Sequence, residues 1–285
     1  IVVKQVATKL LRALSEKGLA LLVNHGIPEC KMKAAYRAFD EFCELSDEAK
    51  AQYERTSSDN HDFRFTFSVT FVRTFVITGS RYPTGDTFLI RSEINQTASL
   101  LKLSVFLEPM YVIYQSPDFL LSKHSHMLGP GNESTLRLLY YPPLGAPAPG
   151  LARCSAHCDY DTFTLLVQDC EGGLEIQSPY GERWGRVGHL PGAILVKSGD
   201  ILANWTNNQL PALRHRVVVP EHCGRGRHSI AFFVHPDNNI PIEPLDTKIV
   251  QPNQESAPCR LQKKKRGVLT AYQHLQRRLR ETYAS

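Results

Sequence analysis

The chain has 285 residues, of which 42% are hydrophobic and 21% are charged, as in an ordinary globular protein. Its seven cysteines form an odd number without a CxxC pair, which argues against a disulfide framework or a zinc ribbon and indicates reduced thiols. No apolar run approaches the ~20 residues of a membrane-spanning helix, and no secretory signal pattern is visible. We therefore expect a cytoplasmic protein without membrane association.

The net charge of +5 is concentrated at the C-terminal end. From Arg260 onward there are eight Lys or Arg residues and one Glu, so this segment carries +7 and the preceding residues sum to −2. The run Lys263-Lys-Lys-Arg266 could be a nuclear address or a phosphate-binding patch. A solvated linker before a helix is the favoured interpretation, so we do not expect nucleic acid as a partner.

Residues 1–60 are predicted to form a helix, a strand and a second helix. Apolar residues repeat at helical spacing as far as Lys17, and Gly18 is suited to end that helix. Residues 19–27 are predicted to form a buried strand and a turn. The helix after Pro28 presents one apolar face, formed by Met32, Ala35, Phe39 and Phe42.

Residues 61–115 form an atypical connecting segment, in which aromatic and polar residues alternate from Phe63 to Phe75 in a strand-like pattern. This segment is either a divergent insertion or an incorrectly joined piece of sequence. From Leu136 onward, short apolar strands alternate with Gly- and Pro-rich turns, which predicts a sandwich or jelly roll. The strands are predicted over residues 163–167, 174–177, 193–196, 201–203, 216–219 and 229–234. A basic linker and a helix over 267–283 complete residues 246–285.

The most informative residues are His157, Asp159 and His215, which are followed by Arg227-His-Ser229. Two imidazoles and one carboxylate can occupy one face of an octahedral metal ion, as in non-haem Fe(II) centres. On a strand, alternate residues project to the same side, so His157 and Asp159 are predicted to converge while the residue between them points away. His215 would then come from a strand folded back beside them.

Several motifs in order around this triad resemble the isopenicillin N synthase-like family of Fe(II)- and 2-oxoglutarate-dependent oxygenases. They are Leu136-Arg-Leu-Leu-Tyr-Tyr-Pro-Pro143, Ala156-His-Cys-Asp-Tyr-Asp-Thr-Phe-Thr-Leu-Leu166, Gly172-Gly, Gly199-Asp200 and Arg227-His-Ser229. The resemblance covers residues 116–245, with a weaker match at the N-terminal end, where the family normally has one more strand. It implies a mainly β fold with flanking helices, whose core is a double-stranded β-helix, a distorted jelly roll.

The resemblance implies that the triad binds Fe(II) and is catalytic, and that Arg227, Ser229 and Tyr141 bind the cosubstrate 2-oxoglutarate. A guanidinium gives two parallel donors to a carboxylate, and a hydroxyl two residues away on the same strand face can add a third. Two positions depart from the family pattern. Leu139 and Lys197 stand where Asn is common, and Lys197 is interpreted as peripheral.

The implied reaction uses 2-oxoglutarate and O2 to hydroxylate or desaturate a small organic substrate, with release of succinate and CO2 and with ascorbate in a supporting role. Two other hypotheses remain open. The protein could be an iron oxidase of the same fold that does not use 2-oxoglutarate. It could also be a catalytically impaired metal-binding homologue, because residues 61–115 depart from the family.

Overall fold

A computed structural model describes most of the chain. The described residues are 2–46, 48–49, 65–68, 72–77, 119–127, 129–141, 143, 152–179, 181–219, 226–245 and 267–283. Within these ranges, no helix is both long enough and apolar enough to cross a membrane. Residues 263–266, the basic run predicted to be a solvated linker, lie outside the described part of the chain.

The helices lie at both ends of the described chain and between strands: α1 Val2–Lys17, α2 Glu29–Glu44, α3 Phe119–Lys123, α4 Asp200–Trp205 and α5 Ala271–Tyr283. The first two agree with the predictions. Gly18 ends α1 with a positive φ of 71°, and a Cβ added there would overlap Leu213, so glycine is needed at this turn. On α2, the predicted apolar face is buried at Met32, Phe39 and Phe42.

The strands form two antiparallel sheets and one short ribbon. Their bounds are β1 Leu19–Leu22, β2 Phe65–Ser68, β3 Val72–Ile77, β4 Thr135–Tyr141, β5 Ala152–His157, β6 Phe163–Gln168, β7 Leu174–Gln177, β8 Trp184–Arg186, β9 Ile194–Ser198, β10 His215–Val218, β11 Arg227–Val234, β12 Pro241–Ile242 and β13 Leu269–Thr270. The larger sheet has the order β1-β9-β6-β11-β4-β3-β2, and the smaller has the order β5-β10-β7-β8. These two sheets agree with the predicted jelly roll, and β2 and β3 confirm the strand-like pattern within residues 61–115.

The central strands of the larger sheet are largely buried on both faces, because each face packs against a different layer. One face packs against α1 and α2 through Leu14, Phe39, Leu138 and Phe232, which belong to a single buried cluster. The opposite face joins the smaller sheet in a second cluster, formed by Tyr141, Leu166, Leu174, Leu195, Val217 and Ala231. Strand residues therefore alternate between the helix side and the barrel interior. Several polar residues of this sheet project into the barrel interior.

Two predicted elements were wrong. Residues 201–203 were predicted as a strand but lie in α4, where Ile201, Leu202 and Ala203 are all buried. A short helix buried on every side gives an apolar run that periodicity cannot distinguish from a strand. The C-terminal helix begins at Ala271 and not at residue 267, because the preceding residues pair with β12 as β13.

Candidate metal centre

The structure brings His157, Asp159 and His215 together at one end of the smaller sheet. His157 is the last residue of β5 and His215 is the first of β10, and the two are directly paired with ring centroids 4.3 Å apart. Asp159 was predicted to lie on the same strand as His157, but it lies in the loop after β5. The backbone N–H of Asp200 donates to the Asp159 carbonyl over 2.9 Å and holds this loop against α4.

The three side chains present their donor atoms to one another in a geometry that suits a metal ion. Asp159 Oδ1 lies 3.4 Å from His215 Nε2 and 3.7 Å from His157 Nε2, and the three potential ligand atoms lie within 4.8 Å of one another. Two ligands at right angles, each about 2.1 Å from one ion, are separated by about 3 Å. A small contraction around an ion would therefore suffice.

Hydrogen bonds on the far side of each ring direct the Nε2 atoms inward. His157 Nδ1 lies 2.8 Å from the Ser155 carbonyl and His215 Nδ1 lies 3.0 Å from the Leu213 carbonyl, so each Nδ1 is the donor and each Nε2 keeps its lone pair. Burial, reinforced by the nearby Lys197, lowers the pKa of His215 well below 6.5. The ring is therefore neutral, as metal ligation requires.

Thr164 orients the carboxylate of the triad from inside the barrel. Its hydroxyl contacts Asp159 Oδ2 and also lies 2.9 Å from Asp161 Oδ2. One hydroxyl carries one proton, so it cannot donate to both carboxyl groups. Burial raises the pKa of Asp161 to about 8, which keeps this carboxyl protonated at neutral pH and able to donate to Thr164. Thr164 can then donate to Asp159 and leave Oδ1 directed at the centre of the triad.

Lys197 was interpreted as peripheral, and the structure shows that this was wrong. It projects from β9 into the barrel interior, where Nζ contacts Asp159 Oδ2 and lies 3.1 Å from His215 Nε2. Only 4% of its side chain is exposed. Burial lowers the pKa of Lys197 to about 7. The departure from Asn was visible in the sequence, but the sequence did not show that β9 directs this residue towards the triad.

The two cysteines beside the triad only partly meet expectation. Cys154 is a free thiol, as predicted, and its Sγ lies 3.8 Å from His157 Nδ1. Hydrogen bonding to His157 and nearby cations outweigh burial and lower the pKa of Cys154. Cys158 is buried away from the triad, as predicted, but it is disulfide-bonded, which corrects the expectation of a reduced thiol there.

Arg227, Ser229 and Tyr141 lie together in the barrel interior. Arg227 pairs with Tyr141 across β11 and β4, and its guanidinium lies 5.1 Å from the centre of that ring. It donates to the Gly172 carbonyl over 2.7 Å and to Ser229 Oγ and Gln168 Oε1 over 3.2 Å each. All three acceptors are neutral, although Arg227 is only 1% exposed. The site thus holds a buried cation that has no carboxylate ion-pair partner among the described residues.

The residue between this Arg and Ser faces the opposite way, as strand alternation requires. His228 Nε2 lies 2.6 Å from Asp40 Oδ1 on α2, its backbone N–H donates to Asp169, and its ring stacks on Tyr140. Burial lowers the pKa of His228, but hydrogen bonding to Asp169 and pairing with Asp40 outweigh it, so the pKa is raised. His228 therefore links α2 to the strand that carries Arg227.

A contact between α5 and the loop of the triad was not foreseen. Tyr160, which follows Asp159, hydrogen-bonds to Thr282 over 2.5 Å. Arg278 lies 4.5 Å from the centre of the Tyr160 ring and 3.5 Å from Asp200 Oδ2. The C-terminal helix thus braces the loop that carries the carboxylate of the triad. The sequence offered no signal for this contact beyond the arginines of the helix.

Two family profiles match this chain. The profile of the 2OG-Fe(II) oxygenase superfamily matches residues 132–236, which include the triad and Arg227. Over these residues the chain is similar to the members of this superfamily. A second profile, described as the N-terminal region of a non-haem dioxygenase in morphine synthesis, matches residues 3–81. These two matches confirm the resemblance that was drawn from the motifs.

Individual relatives support the same assignment. Proline hydroxylase buaE of Petromyces alliaceus is 36% identical over 165 residues, which cover 53% of this chain and 48% of that protein. Gibberellin 20 oxidase 1-A of Triticum aestivum is 26% identical, and the match covers 86% of this chain and 70% of that one. This chain spans about half the length of buaE and less than half that of some other curated relatives.

The fold is shared with a solved structure, that of a full-length Neurospora crassa protein in complex with alpha-KG and 5-formyluracil. The TM-score is 0.79 at 24% identity, and the alignment covers 96% of this chain and 89% of the Neurospora chain. The agreement extends over nearly the whole of both chains, which confirms a mainly β, jelly-roll fold with flanking helices.

Proposed function

We propose that this protein is a non-haem Fe(II)- and 2-oxoglutarate-dependent dioxygenase that hydroxylates or desaturates a small organic substrate, with release of succinate and CO2. One observation carries the proposal: two histidines and one aspartate converge on a single point in a barrel whose interior also holds a buried arginine that donates to three neutral acceptors. The first group suits Fe(II), and the second suits the distal carboxylate of 2-oxoglutarate.

In this proposal His157, Asp159 and His215 hold the ion from one side and leave the opposite side open to exogenous ligands. His157 is the exposed member, with 36% of its side chain accessible against 8% for His215, so the substrate would approach from the side of His157. Thr164 would keep Asp159 Oδ1 directed at the ion. When bound, Fe(II) and 2-oxoglutarate supply the activation of O2 for oxidation of a C–H bond.

The cosubstrate would be held by Arg227, Ser229 and Tyr141. The Nε atom of Arg227 is held by the Gly172 carbonyl. The two terminal nitrogens donate to neutral acceptors and could donate instead to a carboxylate, which is a stronger acceptor. Burial raises the pKa of Tyr141 to about 12, so its phenol stays protonated and able to donate. The apolar residues of the inner cluster would exclude water from this space.

The division of the chain and its location follow the same proposal. Residues 116–245 would form the oxygenase core, flanked by an N-terminal region over 1–60, a connecting segment over 61–115 and a C-terminal region over 246–285. The superfamily profile, which falls within 116–245, supports the assignment of the core. A cytoplasmic location, O2 as co-reactant and ascorbate as a supporting reductant belong to the proposal as well.

The test has two parts, each with a matched control. After anaerobic loading and gel filtration, elemental analysis should find one Fe(II) per chain in the wild type and in Arg216→Ala, but much less in His215→Ala. Arg216 is the neighbour of His215 on β10, but it pairs with Glu175 over 2.8 Å outside the site. In air, succinate should then form only when Fe(II) and 2-oxoglutarate are both present.

Each outcome separates the proposal from its alternatives. Iron binding without succinate, in a protein that consumes O2, would favour an iron oxidase that does not use 2-oxoglutarate. Iron binding with neither succinate nor O2 consumption would favour a catalytically impaired homologue. A folded wild type that binds no iron would contradict all three hypotheses.

A further inference from the structure

Lys197 is a buried donor at the metal-binding face to which the roles above give no function. It shares the inward face of β9 with Leu195, and Nζ contacts two members of the triad. His215 can offer only Nε2 to Lys197, because its Nδ1 pairs with the Leu213 carbonyl. That same Nε2 lone pair is the one a metal ion would use. Lys197 and the ion therefore compete for His215.

Binding of an ion would leave Lys197 Nζ with at least one donor unsatisfied. A buried donor without a partner costs about 1–3 kcal/mol, so Nζ needs a new acceptor nearby. Among the described residues of the interior face, Leu139 offers no polar atom, and the Thr164 hydroxyl is already engaged with Asp159 and Asp161. A ligand that enters with the ion would supply such an acceptor.

A carboxylate that binds a metal ion through one oxygen keeps its other oxygen as an acceptor, and a lysine Nζ is a suitable donor to it. We propose that Lys197 moves from His215 to the metal-bound carboxylate of 2-oxoglutarate, and so binds the end of the cosubstrate opposite to the end held by Arg227. This inference rests on the proposed function and assigns one more cosubstrate-binding residue within it.

The proposal has a consequence that a purely structural role for Lys197 does not have. Because Nζ occupies lone pairs of the triad before the ion arrives, it weakens binding of the ion alone. Because Nζ then contacts the cosubstrate, it strengthens binding of 2-oxoglutarate to the loaded protein. Removal of Nζ should therefore change the two affinities in opposite directions, whereas general damage to the barrel would weaken both.

The experiment compares the wild type with Lys197→Met, which keeps the apolar stem of the side chain, and with Arg216→Met as a control that removes one cation outside the site. Metal affinity is measured by anaerobic calorimetric titration with Co(II). Affinity for 2-oxoglutarate is measured at saturating Fe(II) from the visible charge-transfer band. In Lys197→Met we expect about tenfold tighter metal binding and at least tenfold weaker 2-oxoglutarate binding, since one charge-assisted hydrogen bond is lost. Arg216→Met should match the wild type in both.

If Lys197→Met leaves 2-oxoglutarate affinity unchanged, or weakens both affinities, the proposal is overturned. Should Lys197→Met fail to fold, Lys197→Gln is measured in the same way. Its amide keeps a neutral donor, so smaller changes in the same opposite directions are expected, and the same results overturn the proposal. The wild type separates this inference from the proposed function. A wild type without the visible band would refute the proposed function itself, whereas a wild-type band combined with unchanged variants would refute only the role of Lys197.

Discussion

Replacement of Arg227 by Met should remove most of the affinity for 2-oxoglutarate while the barrel still folds. Arg227 is 1% exposed and its guanidinium donates to three neutral acceptors, so it has no ion-pair partner among the described residues until a carboxylate enters. Loss of one member of a buried, hydrogen-bonded charge pair costs about 2–5 kcal/mol. At about 1.4 kcal/mol per factor of ten, the Kd for 2-oxoglutarate should rise about 30-fold or more.

The assay is the shift in melting temperature that 2-oxoglutarate causes in the Fe(II)-loaded protein under anaerobic conditions. At a concentration one hundred times the wild-type Kd, the ligand stabilises the wild type by about 2.7 kcal/mol, and a protein with a 30-fold higher Kd by about 0.9 kcal/mol. With about 2–4 °C for each kcal/mol, the shift should fall from about 5–11 °C to about 2–4 °C. Each protein is compared with its own ligand-free melting temperature.

The matched control is Arg216→Met on the neighbouring strand. Arg216 pairs with Glu175 and lies over the Trp184 ring, so its loss changes the total charge equally without altering the site. Arg216→Met should keep the full shift. A full shift in Arg227→Met would show that the buried guanidinium does not hold the cosubstrate and would refute the charge argument.

Three further predictions concern the surroundings of the site. Thr164→Val should weaken Co(II) binding about tenfold, because it removes a donor to the metal-binding carboxylate; an unchanged calorimetric titration would contradict this. His228→Gln should lower the free energy of unfolding most below pH ~6.5, because pairing with Asp169 and with α2 favours the protonated form of His228. The loss should become smaller as pH rises through the raised pKa of His228. Urea unfolding at several pH values would measure this, and a constant difference would refute it. Arg278→Gln should lower the free energy of unfolding in urea by up to about 1 kcal/mol, and a loss no larger than in exposed Arg280→Gln would exclude the bracing contact.

Much of the architecture could be predicted because local pattern and tertiary environment agree. In α1 and α2 the helical repeat of apolar residues coincides with the face that packs on the larger sheet. The pairing of His157 with a distant His on a neighbouring strand was foreseen, because two imidazoles can converge only if β10 returns beside β5. These features depend on short-range alternation and on the chemistry of the ligands.

The remainder depends on long-range packing that the sequence does not encode locally. Residues 201–203 form a helix because Asp200 and Ile201 are anchored to the loop of the triad by backbone hydrogen bonds, which no periodicity reveals. The position of Lys197 follows from the register of β9 against β6, in which it lies opposite Thr164. Cys158 is disulfide-bonded, so the odd number of cysteines was a poor guide to the state of this thiol.

Binding of Fe(II) and 2-oxoglutarate at this centre is tested most directly by an anaerobic titration of the Fe(II)-loaded wild type with 2-oxoglutarate, followed in the visible region. In the wild type we expect a metal-to-ligand charge-transfer band that saturates at one equivalent of 2-oxoglutarate. The band should be absent in His215→Ala and should require far more 2-oxoglutarate in Arg227→Met. A folded, iron-loaded protein that shows no band at any concentration of 2-oxoglutarate would contradict the proposal that this iron centre binds 2-oxoglutarate.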